Sequence, residues 1–246
     1  MNIFSSIYGA VLYQPIANIL VLLYILTGSF GFAIIILTLA VKAVLHPLNR
    51  KSLESQKAMT KIQPKLKEIQ KQYKDSPEKQ TKEIMKLYKE EKFNPFAGFL
   101  ILFIQLPFLV ALFQVFQNGA DLAKIGPAMY SFVHLPQSIE PMFLNILDLT
   151  RPNIILAVLT AAAQFLQIKT ATPPVPAPKE GEEKDSMDQM SQMMQKQMVF
   201  IFPVITFIVL FKLPSALALY WIVSTIVSIF EQKLLFSEKK EKNEIK

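Results

Sequence analysis

The stretch Leu37–Lys51, LTLAVKAVLHPLNRK, begins as an apolar helix and ends in a basic cluster. Its apolar half closes a run, Phe30–Leu48, that is long enough to cross about 30 Å of hydrocarbon at about 1.5 Å per residue. Its basic half opens Arg50–Lys92, with thirteen basic and seven acidic residues, the bias of a loop retained in the cytoplasm. Lys42 is the anomaly, an ammonium two turns before Arg50 inside the apolar part.

The rest of the chain fits a membrane setting. Of its 246 residues 52% are hydrophobic, and they are bunched into long runs. Absence of cysteine excludes a disulfide scaffold, thiolate metal sites and Cys nucleophiles. The net charge of +7 suits nucleic acid or anionic lipid, so the position of the charges must decide. Residues 1–30 carry no Lys, Arg, Asp or Glu, so no secretory signal peptide with a basic start is evident.

Besides Phe30–Leu48, four stretches read as spans: Phe96–Phe116, Asn153–Ile168, Val199–Phe211 extending back toward Gln195, and Ala216–Phe236. The two middle ones, Asn153–Ile168 and Val199–Phe211, are short and need polar flanks at the interfaces. Helix is the only conformation that satisfies their backbones in lipid. Ala10–Thr27 either spans or lies in the interface as an amphipathic helix. Gln14, Pro15 and Asn18 in its first half favour the interface. Lys and Arg placement puts residues 50–92, 169–196 and the basic tail 237–246 in the cytoplasm. The N-terminus, residues 117–152 and the turn Lys212–Ser215 are then outside.

The first cytoplasmic loop reads as a helical hairpin. Met59, Ile62, Leu66, Ile69 and Tyr73 recur at helical spacing. Ser76 can cap the returning helix, with Pro77 at its first position and Ile84, Met85, Leu87 and Tyr88 on its apolar face. Pro64 should kink the first arm or mark its start. The second loop opens with the Pro-rich, acidic TPPVPAPKEGEEKD, of disordered composition. A stripe of Met187, Met190, Met194 and Met198 follows, of the kind usually used for packing.

Thr38, Lys42, His46 and Arg50 recur every four residues and share one drifting helix face. Inserting Lys42 costs roughly 2.5 to 3.5 kcal/mol, and nine Phe, Ile, Leu and Val residues between Phe32 and Leu45 return about 0.3 to 0.6 each. Snorkelling of the lysine to the headgroups is the plain alternative, since Leu48 is only about 9 Å along the axis. Polar stripes on other spans favour a shared wet cavity. Thr160, Gln164 and Gln167 share a face, as do Tyr220, Ser224 and Ser228, with Trp221 and Thr225 beside them. Gln105 lies in a further span. With no Asp or Glu well inside a span, Lys42 has no obvious permanent counter-ion. A cation-coupled transporter would be expected to carry such a carboxylate. HExxH, GxSxG and glycine-rich phosphate loops are missing, so no enzyme, cofactor or metal is indicated.

The segments FGFAIIILTLAVKAVLHPLNRKSLESQKAMTKIQPKLKEIQKQYK, EIMKLYKEEKFNPFAGFLILFIQLPFLVALFQVF and PSALALYWIVSTIVSIFEQKLL closely resemble the YidC/Oxa family of membrane protein insertases, over residues 30–236. The resemblance implies an all-α integral membrane protein. Its five core transmembrane helices would surround a hydrophilic groove open to cytoplasm and lipid. A cytoplasmic hairpin (50–92) and an N-terminal interfacial amphipathic helix (1–29) would complete it. Thr38, Lys42, Gln105, Gln167 and Trp221 match groove positions, and Gln164 and Tyr220 adjoin them. The family's groove cation is usually Arg, so Lys42 keeps the charge and loses the planar fork. NPFAGFLIL also departs from the usual NPLAG followed by small residues or Pro.

The implied function is insertion and folding of nascent membrane proteins in a bacterial cell membrane, without cofactor. The implied partners are nascent chains and lipids, with the ribosome and a Sec-type translocon as further candidates and DNA excluded. A small-solute transporter or channel using the same cavity is the rival, and a polybasic lipid or ribosome anchor the third reading.

Overall fold

In the computed structural model, residues 3–91, 93–94, 97–171 and 186–244 are described. The TPPVPAPKEGEEKD segment and the side chains of Met59, Met187, Met190, Met194 and Met198 lie outside the described residues. Contacts divide the chain into two compact units, Met1–Val44 with Pro107–Lys246, and Leu45–Leu106.

The first unit opens with α1 (Ile3–Tyr8), a π-helical turn (Gly9–Tyr13) and α2 (Gln14–Thr27). The π turn runs directly into Gln14 and Pro15, whose missing N–H cannot join a regular ladder. Gly28 ends α2 at φ +65°, donating its N–H to Tyr24 O at 2.8 Å. Helix α3 (Phe30–Gln72) follows. After α5 (Ala97–Asn118) come α6 (Leu122–Ile125), a 3-10 turn and a two-stranded hairpin, β1 (Met142–Phe143) with β2 (Leu147–Asp148). The helices α7 (Ile154–Ala171), α8 (Ser186–Leu210) and α9 (Ser215–Glu244) complete the unit, with α7 packed on both α8 and α9.

Of the expected spans, Phe30–Leu48 lies within α3 and Ala216–Phe236 within α9, while Asn153–Ile168 and Val199–Phe211 overlap α7 and α8 to within one residue. Ser5–Thr27, Phe30–Ser55 and Ser215–Leu235 are long and apolar enough to cross a membrane, with Ile154–Thr170 and Val199–Leu210 as shorter apolar helices. The protein is an all-α membrane protein. Its core joins Leu20, Phe30, Ile34, Leu37, Leu112, Phe116 and Leu210. Leu26, Val44, Ile155, Phe200 and Ile208 are exposed, the apolar exterior that lipid requires.

Helix α3 is continuous through Pro47 and Pro64 for 43 residues, so neither proline separates the span from the hairpin arm. At about 65 Å it is twice the hydrocarbon thickness, and its charged half must leave the membrane. The basic tail is helical as far as Glu244. Of the polar residues that favour an interfacial Ala10–Thr27, Asn18 is engaged within the protein. Asn18 is buried, donates to Gln14 O (2.7 Å) and Ala128 O (2.9 Å), and accepts from Tyr130 N (2.8 Å). Tyr8 Oη donates to Gln114 Oε1 at 3.0 Å. Ser5–Thr27 has the length and composition of a span.

The second unit is the charged hairpin. Tyr73–Ser76 turns the chain into α4 (Pro77–Glu90). Ser76 occupies the N-cap but its hydroxyl makes no capping bond, leaving Pro77 and Glu78 as the features that favour the start. Ile62 and Leu87 are buried, while Met85 points to the exterior. Lys65 Nζ donates to Glu91 Oε1 at 2.6 Å, and this bond raises the Lys65 pKa.

Asn18→Leu would orphan the Ala128 carbonyl and the Tyr130 amide, at about 1–3 kcal/mol per buried group. Thermal unfolding in detergent should show a clear drop for Asn18→Leu and a small one for Asn118→Ala, which loses only a 3.4 Å bond to the Tyr13 hydroxyl.

Candidate functional site

Lys42 projects from α3 toward α9. Its Nζ donates to Ser228 Oγ at 2.6 Å, and Ser228 Oγ in turn donates to Ser224 O at 3.0 Å. The ammonium is therefore directed into the protein rather than along its own helix to the headgroups. Glu231, one turn beyond Ser228 on α9, lies within Coulombic range of Lys42. Glu231 is thus an electrostatic neighbour of Lys42, set near the end of an apolar run. The signal was present in the sequence, because Glu231 and Gln232 continue the Ser224–Ser228 face at helical spacing.

The α7 stripe meets the same helix. Thr160 is buried, and its hydroxyl is shared between Leu156 O (2.7 Å) and Ala218 O of α9 (3.3 Å). Farther along, Thr170 Oγ1 donates to Gln167 O (2.9 Å) and to Gln232 Oε1 (3.3 Å), so both ends of the α7–α9 seam are polar. Between them, Gln164 Oε1 is buried and accepts no hydrogen bond, an acceptor of the kind a polar guest or ordered water satisfies.

The predicted residues separate by environment. Thr38 is enclosed by protein and its hydroxyl bonds Ile34 O of its own helix at 2.6 Å. Tyr220 is also enclosed, its ring 6.1 Å from that of Phe116. Trp221 is half-buried against the core, and Gln164 and Gln167 are half-buried on α7. Gln105, in the second unit, is half-buried on α5. Among the described residues no cluster of His, Asp or Glu could hold a metal ion.

The arrangement can exchange hydrogen bonds and balance charge. Because the chain lacks cysteine, single Cys substitutions report the wetting of each face. A thiol at Ser228 should react with a water-soluble maleimide on the order of tenfold faster than one at the exposed apolar Ile226, since reaction needs a hydrated thiolate. Equal rates would mean that the Lys42 face is dry.

Comparison with known proteins agrees with this geometry. The family model described as 60Kd inner membrane protein matches residues 22–243. The membrane protein insertase YidC of Actinobacillus succinogenes is 35% identical over 91% of this chain and 36% of its own length. That of Fusobacterium nucleatum subsp. nucleatum is 32% identical over 86% of this chain and 88% of its own. A crystal structure of an active YidC insertase with its first transmembrane domain resolved superposes with a TM-score of 0.57 at 27% identity, covering 93% of this chain and 46% of that one. The chain spans about a third of the length of the first relatives it matches, 36% in each case, and most of the Fusobacterium one. On the family match and the shared fold, the chain belongs to the YidC/Oxa family of membrane protein insertases.

Proposed function

We propose that this chain inserts and chaperones nascent membrane proteins without enzymatic chemistry, using the polar face between α3 and α9. The observation that carries this reading is the inward Lys42–Ser228 bond. An intramembrane ammonium held by a hydroxyl and a nearby carboxylate is retained at a cost, and a guest can replace those partners. A polar segment of a nascent chain enters this face. Its carboxylates compete with Glu231 for Lys42, and its amides meet Gln164 Oε1 and the Ser224–Ser228 hydroxyls. Its apolar helix then partitions into lipid, which supplies the drive, and the membrane potential assists acidic outside segments.

In this reading the Arg50–Lys92 hairpin and the C-terminus are cytoplasmic, in agreement with the lysine distribution. Thr38 and Tyr220 shape the wall from within the core, while Gln167 and Trp221 line the route. Nascent chains and lipids are the partners, and the basic hairpin makes the ribosome a candidate beside a Sec-type translocon.

Reconstituted insertion of short single-span substrates tests the charge role. Lys42→Glu should slow substrates with acidic outside segments about tenfold, the worth of one 1.4 kcal/mol interaction, and leave neutral ones nearly unchanged. Lys42→Arg should retain activity, and Glu231→Gln should shift the preference further toward acidic segments. Equal insertion of acidic and neutral substrates by Lys42→Glu would remove Lys42 from the mechanism.

A further inference from the structure

The β1–β2 hairpin carries its apolar residues outward. Its turn holds Leu144 at φ +53° and Asn145 at φ +58°, closed by Ile146 N donating to Phe143 O at 3.1 Å. Left-handed backbone is ordinary for asparagine and costly for leucine, yet this leucine gains no burial from it. Leu144 is 61% exposed and Ile146 84% exposed. Water would favour Asn-Gly here and polar neighbours.

Two features fix where this tip stands. Phe143 covers the first turn of α3, so closely that a Cβ on Gly31 would overlap its ring. The same ring meets Phe32 edge-on, centroids 5.3 Å apart, and Phe32 is itself an exposed residue at the start of a membrane-crossing helix. The tip thus stands beside the first turn of α3, next to an exposed aromatic side chain. The stem is charged. Asp148 accepts from Thr150 N (2.9 Å) and Oγ1 (2.6 Å) and pairs with Arg151 Nε at 3.1 Å. The hydrogen bond from the Thr150 hydroxyl, above all, holds its carboxyl below the usual aspartate value. An apolar tip on an ionic stem is the layout of an interfacial anchor.

We propose that Leu144 and Ile146 are immersed in the bilayer leaflet that meets the Phe30 end of α3, with Asp148 and Arg151 in the headgroup layer. The occupant of this surface is lipid. The stem also holds the start of α9, because Ser215 N donates to Arg151 O at 2.9 Å and Ala216 N to Leu149 O at 3.0 Å. The depth of the tip therefore sets the depth of both helices that carry the Lys42–Ser228 pair.

The proposal needs only that α3 crosses the bilayer, and it stands or falls apart from the insertase reading. Single cysteines at Leu144, Ile146 and Lys124, each carrying a nitroxide in proteoliposomes of zwitterionic and anionic lipid, allow a direct test by power saturation. At positions 144 and 146 collisions with oxygen should exceed those with a water-soluble nickel chelate, and at the charged, exposed Lys124 the order should reverse. Nickel accessibility at 144 and 146 equal to that at 124 would overturn the proposal by placing the tip in water. Shielding from both reagents would overturn it by placing the tip against protein.

Discussion

The fold is organised around one ammonium that lipid cannot solvate. Lys42 sits in a helix that is otherwise apolar from Phe30 to Leu45, and the protein answers with Ser228 at 2.6 Å and Glu231 within Coulombic range. Both groups lie on α9, so α3 and α9 must approach closely with those faces turned together. The seam between α7 and α9 follows the same rule, with Thr160 sharing its hydroxyl with the Ala218 carbonyl. In hydrocarbon, apolar contact alone distinguishes poorly between one helix face and another, and polar pairs choose the register.

Polar fastening recurs at the Phe30 end of α3. Asn18 ties α2 to the segment around Ala128 and Tyr130, while the Leu149 and Arg151 carbonyls receive the first amides of α9. Helix starts carry amides with no partner in their own helix, so these carbonyls meet a fixed need. The exterior of α8 is the opposite case. Phe200, Val204 and Ile208 make that face apolar and exposed, suited to lipid and silent about partners.

Much of this was legible in the sequence. The apolar helices at Phe30, Asn153, Val199 and Ala216 and the charged hairpin follow from runs, periodicity and charge placement. Those features are local, and each is fixed by solvation of one segment. What escaped depends on distant residues. Ser228 was seen as part of a stripe, but its bond to Lys42 joins residues 186 positions apart. Asn18 bonds Ala128 and Tyr130, more than a hundred residues away, which no local pattern indicates. Thr38 and Tyr220 share faces with groove candidates, yet burial removes both from the surface. The short hairpin left no sequence signal, since Leu-Asn lacks the glycine that marks such turns. Pro64 does not mark the start of the hairpin arm, because α3 runs through it.

The central claim is that the Lys42–Ser228 face receives the substrate. It is tested most directly by photocrosslinking to a ribosome-stalled nascent membrane protein. With the crosslinker placed at Ser228 or Trp221, the nascent chain should be captured while its first span emerges and lost once insertion is complete. The exposed apolar Ile226 on the same helix should give weak capture throughout. Capture at Ile226 equal to or stronger than that at Ser228 and Trp221 would contradict the account, because the substrate would then travel along the lipid face and not past the lysine.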